Sequence, residues 1–144
     1  MAVITFESYK ITEMMFLEND NFILEDPKDN IELIQEFHYN FGLFENEEKA
    51  IVEVKLNLGE RNTKEQPFFL SLTVNGLFTY HAEEDENLSG FDVYLKGNAL
   101  AILFPYIRQA VSTLTMMSNH YPTYIMPTIN IAKLLQEAEE INDN

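Results

Sequence analysis

Three histidines are the side chains in this chain best suited to acid–base chemistry or metal binding near neutral pH. His38, His81 and His120 are far apart in the sequence, and none belongs to a His-Glu-x-x-His or His-x-His motif. No Gly-x-Ser-x-Gly, P-loop or glycine-rich dinucleotide-binding motif occurs. The 144 residues include no cysteine, which excludes thiol catalysis and thiolate zinc sites. The sequence therefore predicts a protein that is not an enzyme, with no catalytic residue, no metal site and no cofactor.

The segment DENLSG, from Asp85 to Gly90, comes nearest to a ligand-binding motif. Oxygen-bearing side chains at alternate positions and a glycine at the sixth position match the opening of a calcium loop. Such a loop needs a bidentate glutamate at its twelfth position, where this chain has Lys96. An ammonium group there would repel the cation, so we interpret the segment as a polar turn.

The bulk composition predicts one folded domain over residues 1–144, because 46% of the residues are apolar and 18 are Phe or Tyr (11 and 7). A net charge of −15, from 24 acidic and 9 basic residues, predicts no binding to nucleic acid. This acidic surface either improves solubility or steers a basic partner, and composition does not decide which. The N-terminus lacks a basic, then apolar, leader, and no apolar run reaches the roughly 18–20 residues that span a bilayer. We expect a cytoplasmic protein without membrane insertion.

The first 80 residues read mainly as strands. Residues 50–58 and 68–80 alternate apolar and polar side chains and predict an antiparallel pair. Residues 36–44 and the N-terminal segment 3–17 predict two more strands, joined by a connection long enough to cross the sheet. Gly76, inside the last strand, indicates a bulge or a close approach by another backbone.

The second part of the chain reads as helical. Helical segments are predicted over residues 98–118 and 130–141. Within the first segment, residues 98–103 are expected to form an extended or loosely turned approach from the sheet, so that Pro105 lies in the first turn of the helix itself, where its missing N–H costs nothing. Arg108 then lies one turn into that helix. The fold class is therefore α+β, a four-stranded antiparallel sheet followed by two helices.

More apolar surface is present than one sheet and two short helices can bury. Ile51, Phe69 and Leu77 fall on the polar-looking side of the strands. Such a surplus is typical of subunit interfaces, so we expect a homo-oligomer. The methionines at 14–15 and 116–117 fit either ordinary core packing or an adaptable binding surface.

Three segments together resemble the SecB family of protein-export chaperones. Gly76-Leu77-Phe78 matches the end of a family strand, and Leu103-Phe104-Pro105-Tyr106-x-Arg108 matches the family's Leu-Phe-Pro-Tyr-x-Arg motif. Tyr121-Pro122, then Pro127, Asn130 and Ile131, match a later family segment. Together with a looser match in the first strand, the resemblance extends over nearly the whole chain.

The resemblance implies an ATP-independent holdase that assembles as a dimer of dimers and binds unfolded polypeptides in long apolar grooves. The client-binding residues it suggests are Phe37, Tyr39, Phe41, Phe44, Ile129, Ile131 and Leu135. The candidate oligomer-interface residues on the first helix are Phe104, Ile107, Val111 and Leu114. The alternative is a protein of this fold dedicated to one specific partner, such as an antitoxin, with no export role.

Export in this family uses an acidic face of the sheet to dock the translocase motor SecA. Alignment with the family motifs implies four corresponding positions here, namely Glu13, Leu17, Phe69 and Ser71. Only Glu13 keeps an acidic side chain, and Ser71 stands where the family has a glutamate. This departure weakens the expectation that SecA is a partner.

Overall fold

A computed structural model of the protein describes residues 2–23, 31–44 and 48–127. Its strands are β1 (Ile4–Glu18), β2 (Gln35–Leu43), β3 (Lys49–Gly59) and β4 (Phe68–Tyr80). A short 3₁₀ turn (Ala82–Glu84) leads to α1 (Phe91–Tyr94), a π-helical turn (Leu95–Ala99) and α2 (Leu100–Met117). The α+β class with a four-stranded antiparallel sheet is confirmed, whereas the helix expected over 130–141 lies outside the described residues.

The strands lie in the order β1-β4-β3-β2, and every neighbouring pair is antiparallel. Because β1 and β2 occupy opposite edges, the connection between them passes from one edge to the other, as its length predicts. Gln66 holds the end of this connection through two side-chain hydrogen bonds. Its amide nitrogen donates to the Glu32 carbonyl at 2.9 Å, and its amide oxygen accepts from Ile34 N–H at 3.0 Å. No pattern in the sequence singles out Gln66 for this role.

Alternation along the strands gives the sheet two different faces. The covered face packs against α2 and carries the core, which includes Leu56, Leu72 and Phe78, each 0% exposed. The open face, on the other side of the sheet, carries mostly polar side chains and is not packed against α2. Ile51, Phe69 and Leu77 lie on the open face, as the sequence predicts.

Gly76 is a point of close contact between α2 and the sheet. A Cβ at this position would lie 2.8 Å from Leu103 Cδ2 and 3.0 Å from Phe78 Cε2. The close approach at Gly76 is therefore made by side chains and not, as predicted, by another backbone. The irregularities in strand pairing lie in β1, between Phe6 and Ser8 and between Ile11 and Glu13.

The predicted position of Pro105 is wrong. Helical structure is continuous from Phe91, seven residues before the expected start at 98, and Pro105 lies inside α2 rather than in a first turn. The helix begins early because Phe91 and Leu95 are buried, with Phe91 stacked on Tyr80 at 5.0 Å. Burial of these side chains outweighs the helix-breaking tendency of the Lys-Gly-Asn sequence that the π-helical turn accommodates.

The helical stretch Phe91–Met117 has 27 residues, and an 18-residue window in it has a mean hydropathy of 1.2. By length and composition alone it could cross a membrane, which corrects the expectation that no segment is apolar enough. A helix that packs on the core of a soluble protein satisfies the same criterion, and 28% of this window is buried. The absence of membrane insertion stays a prediction.

Asp85 organises the turn between β4 and α1. Its carboxylate accepts hydrogen bonds from the Tyr80 hydroxyl at 2.7 Å, Gly90 N–H at 2.9 Å, Ser89 N–H at 3.1 Å and the Tyr94 hydroxyl at 3.2 Å. The hydrogen bond from Tyr80, followed by that from Gly90, holds the pKa of Asp85 below its ordinary value. The same bond, with burial, raises the pKa of Tyr80 to about 12. Asp85, the first position of the apparent calcium motif, therefore accepts hydrogen bonds within the turn.

We expect Asp85→Asn to lower the thermal unfolding midpoint at neutral pH, because the amide nitrogen cannot accept the hydrogen bonds that the carboxylate accepts. The folded pKa of Asp85 lies below 3.8, so its stabilising contribution is present above that pH and is lost as the pH falls through the folded pKa. The difference between the wild type and Asp85→Asn should therefore shrink below pH 3.8 in thermal melts. Glu86→Gln, an exposed change in the same turn, is the control and should leave the midpoint unchanged.

Candidate functional site

The helix α2 packs on β4 and β1, and apolar side chains remain exposed along both edge strands. On the β2 side these belong to a row that we call the β2 strip, formed by Phe37, Tyr39, Phe41 and Leu43 on the covered face. On the β1 side they line a groove between β1 and α2. These two surfaces, with the open face, are the candidate sites of this molecule.

The exposed fraction of the side chains increases along the β2 strip, from the core to solvent. Phe37 is 6% exposed, Tyr39 and Phe41 are half-buried with their ring centroids 6.2 Å apart, and Leu43 is 44% exposed. The Tyr39 hydroxyl donates to the carbonyl oxygen of Leu95 at 3.0 Å, which fixes the strip to the π-helical turn. Burial raises the pKa of Tyr39 above its ordinary value, so this hydroxyl stays protonated as a donor.

The predicted client-binding residues are only partly brought together. Tyr39 and Phe41 lie side by side on the β2 strip, whereas Phe37 belongs to the core. Phe44 lines a groove on the opposite, open face of the sheet. The sequence could have predicted this separation. Side chains an odd number of residues apart in a strand point to opposite faces, and Phe44 is three residues from Phe41. The remaining candidates, Ile129, Ile131 and Leu135, lie outside the described residues, and Leu43 was not predicted.

The β1–α2 groove has a volume of about 310 Å³ and is lined mainly by apolar side chains. Met14 and Met117 are its most exposed apolar members, at 62% and 70%. Tyr9 and Tyr106 close one end, with ring centroids 4.3 Å apart. The exposed methionines at 14 and 117 therefore line a surface and do not fill the core of this subunit.

The predicted oligomer-interface residues of α2 do not form one exposed face. Ile107 and Val111 are 0% exposed and pack in the core of their own subunit, so they are corrected to core residues. Phe104 and Leu114 are half-buried, and Leu114 also lines the β1–α2 groove. An amphipathic stripe shows that one side of a helix is covered, but it does not show whether the subunit's own sheet or a second subunit covers it.

The four predicted motor-docking positions do lie together, at one corner of the open face. Leu17 pairs with Phe69 across β1 and β4, and the Ser71 hydroxyl donates to Glu13 Oε1 at 2.9 Å. Lys55 Nζ lies 3.9 Å from the same Glu13 oxygen. The Glu13 carboxylate is thus already engaged by a hydroxyl group and an ammonium group, and Glu36 and Glu60 line a cleft beside Phe69 at the same corner.

Arg61 adds a second positive charge at this corner. Its guanidinium lies 5.6 Å from the centroid of the Phe69 ring, a cation–π arrangement. The paired residues of the whole open face carry three carboxylates and three ammonium groups. These are Glu13, Glu36, Glu53, Lys10, Lys49 and Lys55. In a chain of net charge −15, the open face is balanced rather than acidic.

Comparison with known proteins places the chain in a family. The sequence model of the family described as preprotein translocase subunit SecB matches residues 22–141. The uncharacterized protein MJ0357 of Methanocaldococcus jannaschii is 34% identical over 116 residues, which are 79% of this chain and 70% of that protein.

A solved structure shares the fold. It is the Mycobacterium tuberculosis SecB-like chaperone Rv1957 in complex with a ChAD peptide from the antitoxin HigA1 (Rv1956). The match has a TM-score of 0.69 at 17% identity and covers 88% of this chain and 91% of that one. The family model extends over most of the chain and the fold agrees with it: this protein is a member of the SecB family.

Proposed function

We propose that this protein is an ATP-independent holdase that binds unfolded polypeptides in the cytoplasm. The observation that carries the proposal is the β2 strip, a row of aromatic and aliphatic side chains that runs from the core to solvent along an edge strand. An unfolded client presents scattered apolar side chains, and a graded apolar strip takes them up without requiring one shape. No step of this activity needs a catalytic residue.

We propose further that the chain assembles as a homo-oligomer, a dimer of dimers, through the β1–α2 groove. Side chains such as Met14 and Met117 are too exposed in one subunit to be explained by its own core. Membership of the SecB family supports a second copy of this chain as the partner that covers the β1–α2 groove. Burying one such side chain contributes about 1.5–3 kcal/mol, so a few of them stabilise a subunit contact.

An export role with SecA receives less support from the residues. Of the four candidate docking positions only Glu13 is acidic, and its Oε1 is already engaged by Ser71 and Lys55. A titration with SecA at low salt tests this role directly. Saturable binding that Glu13→Gln abolishes would add export to the proposed function, and absence of binding would restrict the protein to holding clients.

A dedicated partner is the second candidate function. The SecB-like chaperone of similar fold is bound to a peptide from an antitoxin, which supports a specific polypeptide partner equally well. Suppression of aggregation of several unrelated unfolded proteins, without nucleotide, supports the general holdase. Protection of a single co-purifying protein, with no effect on the others, supports the dedicated role and contradicts the general one.

The β2 strip gives the holdase proposal a matched pair of variants. We expect Leu43→Asp to raise the protein concentration needed for half-maximal suppression of aggregation about fivefold, because it places a charge where a half-exposed leucine contacts the client. Leu88→Asp makes the same chemical change at a residue that is 85% exposed in the acidic loop, and it should stay within about twofold of the wild type. Equal effects of the two variants would show that charge alone, and not the strip, governs client binding.

A further inference from the structure

A second groove crosses the open face, on the side of the sheet opposite α2. It has a volume of about 380 Å³. Its apolar floor is made by Ile51 and Leu77, which are direct partners on β3 and β4, and Phe44 lies at one end. Gly42, the partner of Ile51 on β2, has no heavy atom within 4 Å of the place its Cβ would occupy. The groove is therefore open toward β2 and has a hydrophobic base.

Two lysines flank this groove on opposite sides. Lys10 lies beside Asn75, one row of residues to one side of the floor, and Lys49 lies beside Thr79, one row to the other side. Within the described ranges, no carboxylate lies within 4.0 Å of either ammonium group. The chain has nine basic residues against 24 acidic ones, so two lysines at one small apolar groove, neither paired with a carboxylate of the described residues, form a local positive site.

The spacing of the lysines defines what fits between them. Strands lie about 4.8 Å apart and rise about 3.4 Å per residue, so the register puts the Cα atoms of Lys10 and Lys49 about 17 Å apart. In an extended peptide, alternate side chains point to the same side, and residues four apart are separated by about 13 Å. The flexible lysine side chains span the difference, so one peptide can place carboxylates at both lysines and an apolar side chain on the floor between them.

We propose that this groove, which we call the lysine groove, docks an extended acidic segment of a partner protein with the pattern acidic-x-apolar-x-acidic. The apolar side chain rests on Ile51 and Leu77, and the two carboxylates pair with Lys10 and Lys49. Glu53, the partner of Asn75 on β3, is the one carboxylate among the paired residues beside the groove, and it opposes binding.

This site is independent of the holdase proposal, because it lies on the face of the sheet opposite the β2 strip and the β1–α2 groove. The lysine groove would select an acidic partner, whereas an acidic docking face would select a basic one. An acidic ligand is repelled by most of this surface, so only a segment whose spacing reaches both lysines gains attraction. The charge pattern therefore gives specificity more than affinity.

The test uses the full-length protein and a labelled peptide with glutamate, leucine and glutamate at alternate positions in a glycine and serine background. We expect saturable binding by fluorescence anisotropy at low ionic strength, and weaker binding as salt increases. Lys10→Glu and Lys49→Glu should each weaken binding about fivefold to tenfold. Lys64→Glu, with the same change of charge at an exposed residue outside the groove, should stay within about twofold, and Glu53→Gln should tighten binding about twofold.

Peptide variants test the proposal without altering the protein. Replacing the central leucine with serine, or both glutamates with lysines, should abolish measurable binding. Equal binding of either control peptide, unchanged affinity in Lys10→Glu and Lys49→Glu, or no binding of the parent peptide would overturn the proposal. Displacement of the peptide by laurate at lower concentration than by unlabelled peptide would assign the groove to an anionic amphiphile and also overturn it. Lys10→Glu and Lys49→Glu should retain full suppression of client aggregation, which separates failure of this site from failure of the holdase function.

Discussion

Gly76→Val is expected to reduce the free energy of unfolding by about 3 kcal/mol, a large fraction of the stability of a domain of this size. Even a single Cβ at this position would lie 2.8 Å from Leu103 Cδ2, and valine adds two more methyl groups. Neither Leu103 nor Phe78 can move aside easily, because both are 0% exposed and surrounded by core side chains. The helix must therefore shift away from the sheet, which loses contacts along its length. Urea unfolding followed by circular dichroism measures the change.

Gly42→Val is the matched control for this substitution. Gly42 is also in a strand, but it has open space where its Cβ would be. We expect its stability to stay within about 0.5 kcal/mol of the wild type. A cost at Gly42 similar to that at Gly76 would mean that valine is disfavoured in these strands for reasons other than contact with α2.

Leu103→Ala provides the decisive second test. Alone it should cost about 2–5 kcal/mol, since it removes a fully buried side chain. In the Gly76→Val background the cost should be much smaller, because the valine fills part of the space that the leucine leaves. Strictly additive effects in this double-mutant cycle would contradict the direct contact between the two residues. If Gly76→Val does not fold, the same cycle can be measured with Gly76→Ala.

The strands could be predicted because each has one face in the core. The alternation from residue 50 to 58 is strict, and the structure extends that strand by only one residue at each end, to Lys49 and Gly59. Gly76 was informative because a glycine inside a strand can indicate a bulge or a close approach by a neighbour. Glycine alone was not decisive, since Gly42 is also in a strand and has open space at its Cβ position. Local patterns were sufficient wherever one face is covered along its whole length.

The start of the helix could not be predicted from local patterns. Gly97 and Asn98 are poor helix formers, and Pro105 favours a helix start. The chain is helical through all three because Phe91 and Leu95 are anchored in the core, an interaction that depends on the position of Tyr80 in the finished sheet. The pairing of Ser71 with Glu13 was equally inaccessible, because it depends on the register of β1, which contains two irregularities. Tertiary contacts thus decided the features that local sequence patterns do not reveal.

Met117→Glu is expected to separate the subunits of the proposed assembly. Met117 is 70% exposed and Met14, which lines the same groove, is 62% exposed, so a glutamate at either place should leave the folded subunit intact. In a subunit contact the same glutamate would be an uncompensated buried charge, which costs about 3–5 kcal/mol. This corresponds to about a thousandfold increase in the dissociation constant. Sedimentation velocity over a range of concentrations measures the mass of the wild type and of each variant.

Met116→Glu is the control for this experiment. Met116 adjoins Met117 in the sequence and is 58% exposed, but it does not line the groove. Its variant should keep the mass of the wild type, and dissociation of both variants to the same extent would count against the groove as the contact surface. A monomeric wild type would remove the assembly proposal altogether.

The separated subunit then tests how assembly and client binding are related. The β2 strip and the β1–α2 groove lie on opposite sides of α2, so dissociation should leave Tyr39, Phe41 and Leu43 in place. If Met117→Glu subunits still suppress aggregation, each strip binds a client segment independently, and assembly adds only the avidity of several linked sites. That avidity is large for long clients and absent for short ones. Loss of protection for long unfolded chains, with unchanged affinity for a short apolar peptide, is therefore the result we expect.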